Sequence, residues 1–220
     1  MKRGESISAS LQHLVFFPDE TRPRNPTIVA LHGRGADAYD LVPLVESLGF
    51  ANTLVIAPRA PMLFDSSGGY AWYDLSEEGI PHQQSFNESL TLLRRFLLEA
   101  KEGYPIDPTR LILLGFSQGT VMSYAAGLTE PNRIRALVAL SGYIPYKSGL
   151  SLQWDRMKEL CVFISHGEYD ELIPVSLGRK SADMLIQAGA KVTYHEYRMG
   201  HEITEETLRD LRVWVVDVLK

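Results

Sequence analysis

Short apolar runs at residues 28–31, 54–57, 111–114, 136–140, 162–164 and 192–197 alternate with segments near 39–48, 88–101, 118–128, 175–188 and 204–219 whose apolar positions recur at helical spacing. Few architectures accept this rhythm, because a strand followed by a helix and another strand closes most simply as a parallel crossover. Continuously apolar runs such as Ile112-Leu113-Leu114 predict strands covered on both faces. The expected fold is therefore α/β, a mostly parallel central sheet between helical layers. Ahead of the first run, Leu11-Gln12-His13-Leu14-Val15-Phe16-Phe17 and the turn-like residues 18–26 predict an antiparallel hairpin at the sheet edge. With 220 residues, 45% of them hydrophobic, the whole of 1–220 suits one domain with a sizeable core.

The run at 111–114 leads straight into Gly115-Phe116-Ser117-Gln118-Gly119 and then into a helix-forming stretch. That context is a nucleophile elbow, in which a sharp strand-to-helix turn lifts a serine hydroxyl clear of the backbone. Gly115 and Gly119 flank the serine where a Cβ would strike the neighbouring strand or helix. Gly-x-Ser-x-Gly is common by chance, so its placement between strand and helix carries the argument.

The net charge is −5 and the 22 Lys and Arg are scattered, which leaves no basic face for nucleic acid or an anionic membrane. The single cysteine, Cys161, opens an apolar run and is expected to be a buried, inert thiol. The charged first residues lead to no apolar leader segment, and no run is long enough to span a bilayer, so a cytoplasmic protein is expected.

A serine nucleophile needs a base and an acid that orients it. Of the six histidines, His13 and His195 fall within strand patterns and His82 lies in a loop with no turn motif around it. His201, in Met199-Gly200-His201-Glu202 after the last strand, is free to point back over the strand ends and completes the chain order serine, acid, histidine. The acid is expected just beyond the strand at 162–164, where Asp170 fits, with Glu168 and Glu171 as neighbouring competitors. His166, which opens that turn, is read as a brace. A tetrahedral oxyanion needs two backbone donors. Gln118 N–H, next to the nucleophile, is one. The other falls to Arg34 N–H in Leu31-His32-Gly33-Arg34-Gly35-Ala36-Asp37, where Gly-x-Gly permits close backbone approach. Gly33-Arg34-Gly35 lacks the further glycine or Walker lysine of a phosphate loop.

Residues 59–84 break the rhythm, with Pro61, Gly68, Gly69, Gly79 and Pro81 set among Phe64, Tyr70, Trp72 and Tyr73. Aromatics on such a loop either wall an acyl pocket near the strand ends or pin the loop to the core, and the sequence leaves both open. Phe64, Trp72, Tyr73, Tyr143 and Ile173 are the pocket candidates.

Taken together, Leu31-His32-Gly33-Arg34-Gly35-Ala36-Asp37, Ala57-Pro58-Arg59-Ala60-Pro61, Trp72-Tyr73-Asp74, Gly115-Phe116-Ser117-Gln118-Gly119, Leu140-Ser141-Gly142, His166-Gly167 with Asp170 and Pro174, and Gly200-His201 resemble the phospholipase/carboxylesterase family over nearly the whole length. These are small α/β-hydrolases without a large lid domain, and they include bacterial carboxylesterases and acyl-protein thioesterases. The resemblance implies a triad of Ser117, Asp170 and His201, backbone donors Arg34 and Gln118, no cofactor or metal, and frequent homodimers. Arg34 stands where many members have leucine, and Thr120 where glycine is common. The more polar acyl side that Arg34 creates favours short- to medium-chain carboxylic esters over long acyl chains. An acyl-thioesterase or lysophospholipase with the same triad is the alternative enzyme. A non-catalytic ligand-binding protein of this fold is the alternative of another class, and the intact triad weighs against it.

Overall fold

A computed structural model describes residues 1–49, 52–64, 68–76 and 80–219. In chain order the elements are β1 (Lys2–Arg3), β2 (His13–Phe17), β3 (Asn25–Leu31), α1 (Val42–Ser47), β4 (Leu54–Pro58), β5 (Met62–Leu63), β6 (Tyr70–Ala71), α2 (Gln83–Gly103), β7 (Ile106–Phe116), α3 (Gln118–Thr129), β8 (Ala136–Leu140), β9 (Cys161–Gly167), α4 (Val175–Gln187), β10 (Lys191–Tyr197) and α5 (Glu205–Val218). Eight strands make one sheet in the order β1-β2-β4-β3-β7-β8-β9-β10. From β4 to β10 every neighbouring pair is parallel. This is the α/β-hydrolase fold, without a large lid.

Side-chain alternation along the central strand builds the two layers. Leu111 and Leu113 of β7 enter a cluster with Phe86, Leu90 and Leu93 of α2, Val121 and Tyr124 of α3, and Leu185 of α4. Ile112 and Leu114 enter the opposite cluster with Val42 and Val45 of α1 and Leu211 and Val215 of α5. Full burial of each such side chain stabilises the fold by about 1.5–3 kcal/mol, so β7 is fixed from both faces. Its C-terminal end carries Ser117. Cys161 is buried, as expected.

Three sequence expectations are corrected. The hairpin between 11–17 and the first core strand does not form, because the β3-α1-β4 crossover inserts β4 between β2 and β3. β2 lies antiparallel to β4 instead, with β1 outside it. α2 starts at Gln83, five residues before the apolar periodicity begins, and Phe86 in its first turn is fully buried. β3 and β7 start earlier than their apolar cores, at Asn25 and Ile106, through pairing with each other. In the stretch 59–84, β5 and β6 pair as a two-residue ribbon. Residues 65–67 and 77–79 of that stretch, Gly79 among them, lie outside the described residues.

Candidate active site

Ser117 joins β7 to α3 with φ 54° and ψ −119°, a left-handed conformation for a residue with a side chain. Such geometry costs about 1–3 kcal/mol and persists only where the surroundings impose it. Here steric exclusion imposes it. A Cβ on Gly115 would overlap the Gly119 backbone, and one on Gly119 would overlap the Leu31 carbonyl. Ser117 N–H donates to Leu140 O at 3.0 Å, tying the elbow to the end of β8. Thr120, the departure from glycine, adds to that tie. Its Oγ1 lies 2.7 Å from both Gly115 O and Leu140 O, and accepts from Leu140 N–H at 3.1 Å. The extra bulk fits because position 142 is glycine: a Cβ there would collide with the Thr120 side chain.

The loops after β9 and β10 bring Asp170 and His201 together. Glu168 N–H donates to Tyr197 O at 2.8 Å and Tyr169 N–H to Met199 O at 3.1 Å, while a Cβ on Gly167 would run into Met199 and Gly200. Asp170 Oδ2 accepts from His201 Nδ1 at 2.7 Å. A carboxylate only accepts, so Nδ1 carries a proton and, in the neutral ring, Nε2 is left with its lone pair. Asp170 Oδ1 accepts from the backbone of Leu172 at 3.0 Å and Ile173 at 2.8 Å. Glu168 and Glu171 point to solvent. The His201 ring packs at 4.9 Å on that of Phe116, the residue before Ser117. His166 lies behind the acid, fully buried, with Nε2 donating to Ile173 O at 2.8 Å and 3.4 Å from Asp170 Oδ2. Burial pulls its pKa down. Its Nδ1 has no partner among the described residues, which fits a neutral ring.

On the other side of the serine, the loop after β3 approaches closely. A Cβ on Gly33 would lie 3.5 Å from Ser117 Cβ. Among the described residues neither Arg34 N–H nor Gln118 N–H has a backbone acceptor. The Arg34 guanidinium lies outside, 4.5 Å over the Phe64 ring.

An open apolar groove of about 360 Å³ borders the Asp170 loop, with Tyr143, Ile144, Ile173, Leu177, Phe86 and Ile80 among its walls. Of the pocket candidates, Tyr143 and Ile173 line this groove. Trp72, Tyr73 and Phe64 do not line it. Trp72 is 0% and Tyr73 2% exposed, both in the core, where they pin the loop. Phe64 is held under Arg34 and against Gly35. Three contributors escaped the sequence reading: the ring of His32, the side chain of Gln118 and the ring of Phe116. Only the place of Gln118 and Phe116 beside Ser117 offered a signal.

The fold and this site define a serine hydrolase. The phospholipase/carboxylesterase family model matches residues 16–217, and the chain belongs to that family. Acyl-protein thioesterase 1 of Mycosarcoma maydis is 32% identical to it, over 95% of this chain and 98% of the relative. The carboxylesterase of Bacillus cereus superimposes with a TM-score of 0.83 at 24% identity, covering 94% of each chain. Esterase PE8 superimposes at 0.81 with 25% identity, covering 95% of this chain and 99% of its own.

Proposed function

We propose that this serine hydrolase is a carboxylesterase for short- to medium-chain carboxylic esters, working through an acyl-enzyme on Ser117. The observation that carries the reading is the 2.7 Å pairing of Asp170 with His201, whose ring is packed beside the strained elbow. Ser117 Oγ attacks the ester carbonyl as His201 Nε2 takes its proton. The oxyanion is held by Gln118 and Arg34 N–H, and His201 protonates the departing alcohol. Water, activated by the same nitrogen, then releases the acid. Asp170 fixes the histidine tautomer throughout.

The groove supports the substrate class. At about 360 Å³ it falls near the lower end of small-molecule pockets. Thioester hydrolysis is the second reading, favoured by the 32% identity to an acyl-protein thioesterase. One sheet with two continuous apolar layers supports a single domain over 1–220. No helix among the described residues is long and apolar enough to cross a membrane, and we place the protein in the cytoplasm.

The test is hydrolysis of p-nitrophenyl acetate, octanoate and palmitate, with octanoyl thioester alongside, by wild type and Ser117→Ala. Turnover that peaks at or below octanoate and is lost in the variant supports the carboxylesterase. A peak at palmitate or on the thioester selects the second reading. Equal turnover by the variant overturns both.

A further inference from the structure

We propose that the side chain of Gln118, acting with Trp72 and His32, is a positioning device for the oxyanion donors. The inference rests on the reading of Gln118 and Arg34 N–H as those donors. The Gln118 carboxamide is buried and bonds to the backbone of another segment at both ends. Its Oε1 accepts from Trp72 N–H at 3.0 Å, and its Nε2 donates to Tyr73 O at 2.8 Å. The Trp72 indole Nε1–H in turn donates to His32 O at 2.9 Å. The His32 ring completes the path. Its Nε2 accepts from Ala60 N–H at 3.0 Å, so in the neutral ring the proton sits on Nδ1, which donates to Gly33 O at 2.6 Å.

That last bond is the informative one. Gly33 C=O and Arg34 N–H belong to the same planar trans peptide and point in opposite directions. A donor fixed on the carbonyl therefore fixes the direction of the N–H and polarises it, on a loop so close to the elbow that a Cβ on Gly33 would lie 3.5 Å from Ser117 Cβ. Hydrogen bonds linked through the residues Trp72 and His32 thus join the residue bearing one proposed donor to the peptide bearing the other. Gly35 N–H to Tyr70 O and Tyr70 N–H to Ala36 O, each at 2.8 Å, bind the same two segments a second time.

Both half-reactions pass through a tetrahedral oxyanion, so misplaced donors lower kcat whichever half-reaction limits turnover. Ground-state ester binding in the apolar groove is untouched. Gln118→Ala keeps its backbone N–H but leaves Trp72 N–H and Tyr73 O without their partner. The expected result is a kcat lower by about 10- to 100-fold, with KM within about twofold. Gln118→Glu separates positioning from packing. When protonated, its carboxyl donates to Tyr73 O and accepts from Trp72 N–H as the amide does. When ionised, the oxygen that faces Tyr73 O can only accept, so that carbonyl loses its donor. Burial raises the pKa of such a group, so the ratio of variant to wild-type kcat falls as pH rises.

The experiment is kcat and KM on p-nitrophenyl butyrate from pH 5.5 to 9 for wild type, Gln118→Ala, Gln118→Glu and Ser117→Ala, with circular dichroism on each. A kcat loss in Gln118→Ala at steady KM, and a ratio for Gln118→Glu that declines with pH, support the device. A Gln118→Ala kcat within twofold of wild type, or a pH-independent ratio for Gln118→Glu, overturns it while the serine mechanism stands. Full activity in Ser117→Ala removes the oxyanion reading and this inference with it.

Discussion

The elbow at 115–119 and the aromatic segment at 70–73 lie against each other, yet they are held by different physics. The elbow is shaped by exclusion: Gly115 and Gly119 leave no room for a Cβ, and Ser117 takes φ 54° because nothing else fits between β7 and α3. The aromatic segment is shaped by attraction, through the Gln118 side chain and His32 O, groups far from it in sequence. Exclusion is legible in the Gly-x-Ser-x-Gly run itself, although part of what excludes a Cβ there, the Leu31 carbonyl, comes from another strand. Attraction is written across the chain, and it can be loosened without being abolished.

The largest expected effect falls on the chemistry at the elbow. Ser117→Ala should lower kcat by about 10⁴- to 10⁶-fold with little change in melting temperature. A smaller loss would break the assignment of the nucleophile. Asp170→Asn, which disturbs the histidine tautomer while keeping the shape, should cost about 10⁴-fold in kcat. Gly119→Ala tests exclusion itself: driving a Cβ into the Leu31 backbone should destabilise the fold by about 3 kcal/mol or more, read by urea denaturation. A fully stable, active variant would show that the elbow can be reshaped after all.

Trp72→Phe probes attraction at lower amplitude. The ring still fills the core, but His32 O loses its donor, for an expected loss of about 1–3 kcal/mol. If this variant proved more damaging than Gly119→Ala, the contrast between the two regions would be reversed.

The smallest effect is the pH dependence of stability. His13, His32 and His166 all have pKa values lowered by burial. The folded protein therefore binds protons less readily than the unfolded chain, whose histidines titrate near 6.5. The stability these neutral rings contribute is fully present above pH 6.5 and is lost as pH falls through the lowered folded values. The melting temperature should drop between pH 7.5 and 5, and His32→Gln should make that drop shallower.

The same contrast explains what the sequence could disclose. Short apolar runs, helical spacing and short-range sterics are local, so the parallel strands, the elbow and the order of Ser117, Asp170 and His201 were legible. The neighbour of β2 was not, because it depends on where the β3-α1-β4 crossover lays down β4. Nor was the start of α2, since Gln83 and Gln84 are polar and only Phe86 marks that turn as buried. Aromatic residues 72 and 73 suggested pocket or anchor equally. A side-chain carboxamide from position 118 decides for anchor, and no window around residue 72 contains it.

The strand order also fixes when a chain of this kind becomes reactive. Synthesis delivers Ser117 and its elbow first, Asp170 later, and His201 only after β10 has been made. A nascent polypeptide that has released Ser117 still lacks the proposed base and the loop whose Met199 O accepts from Tyr169 N–H. Under the proposed mechanism the serine is an ordinary alcohol until the sheet closes on its final strand, and the unfinished protein is chemically silent.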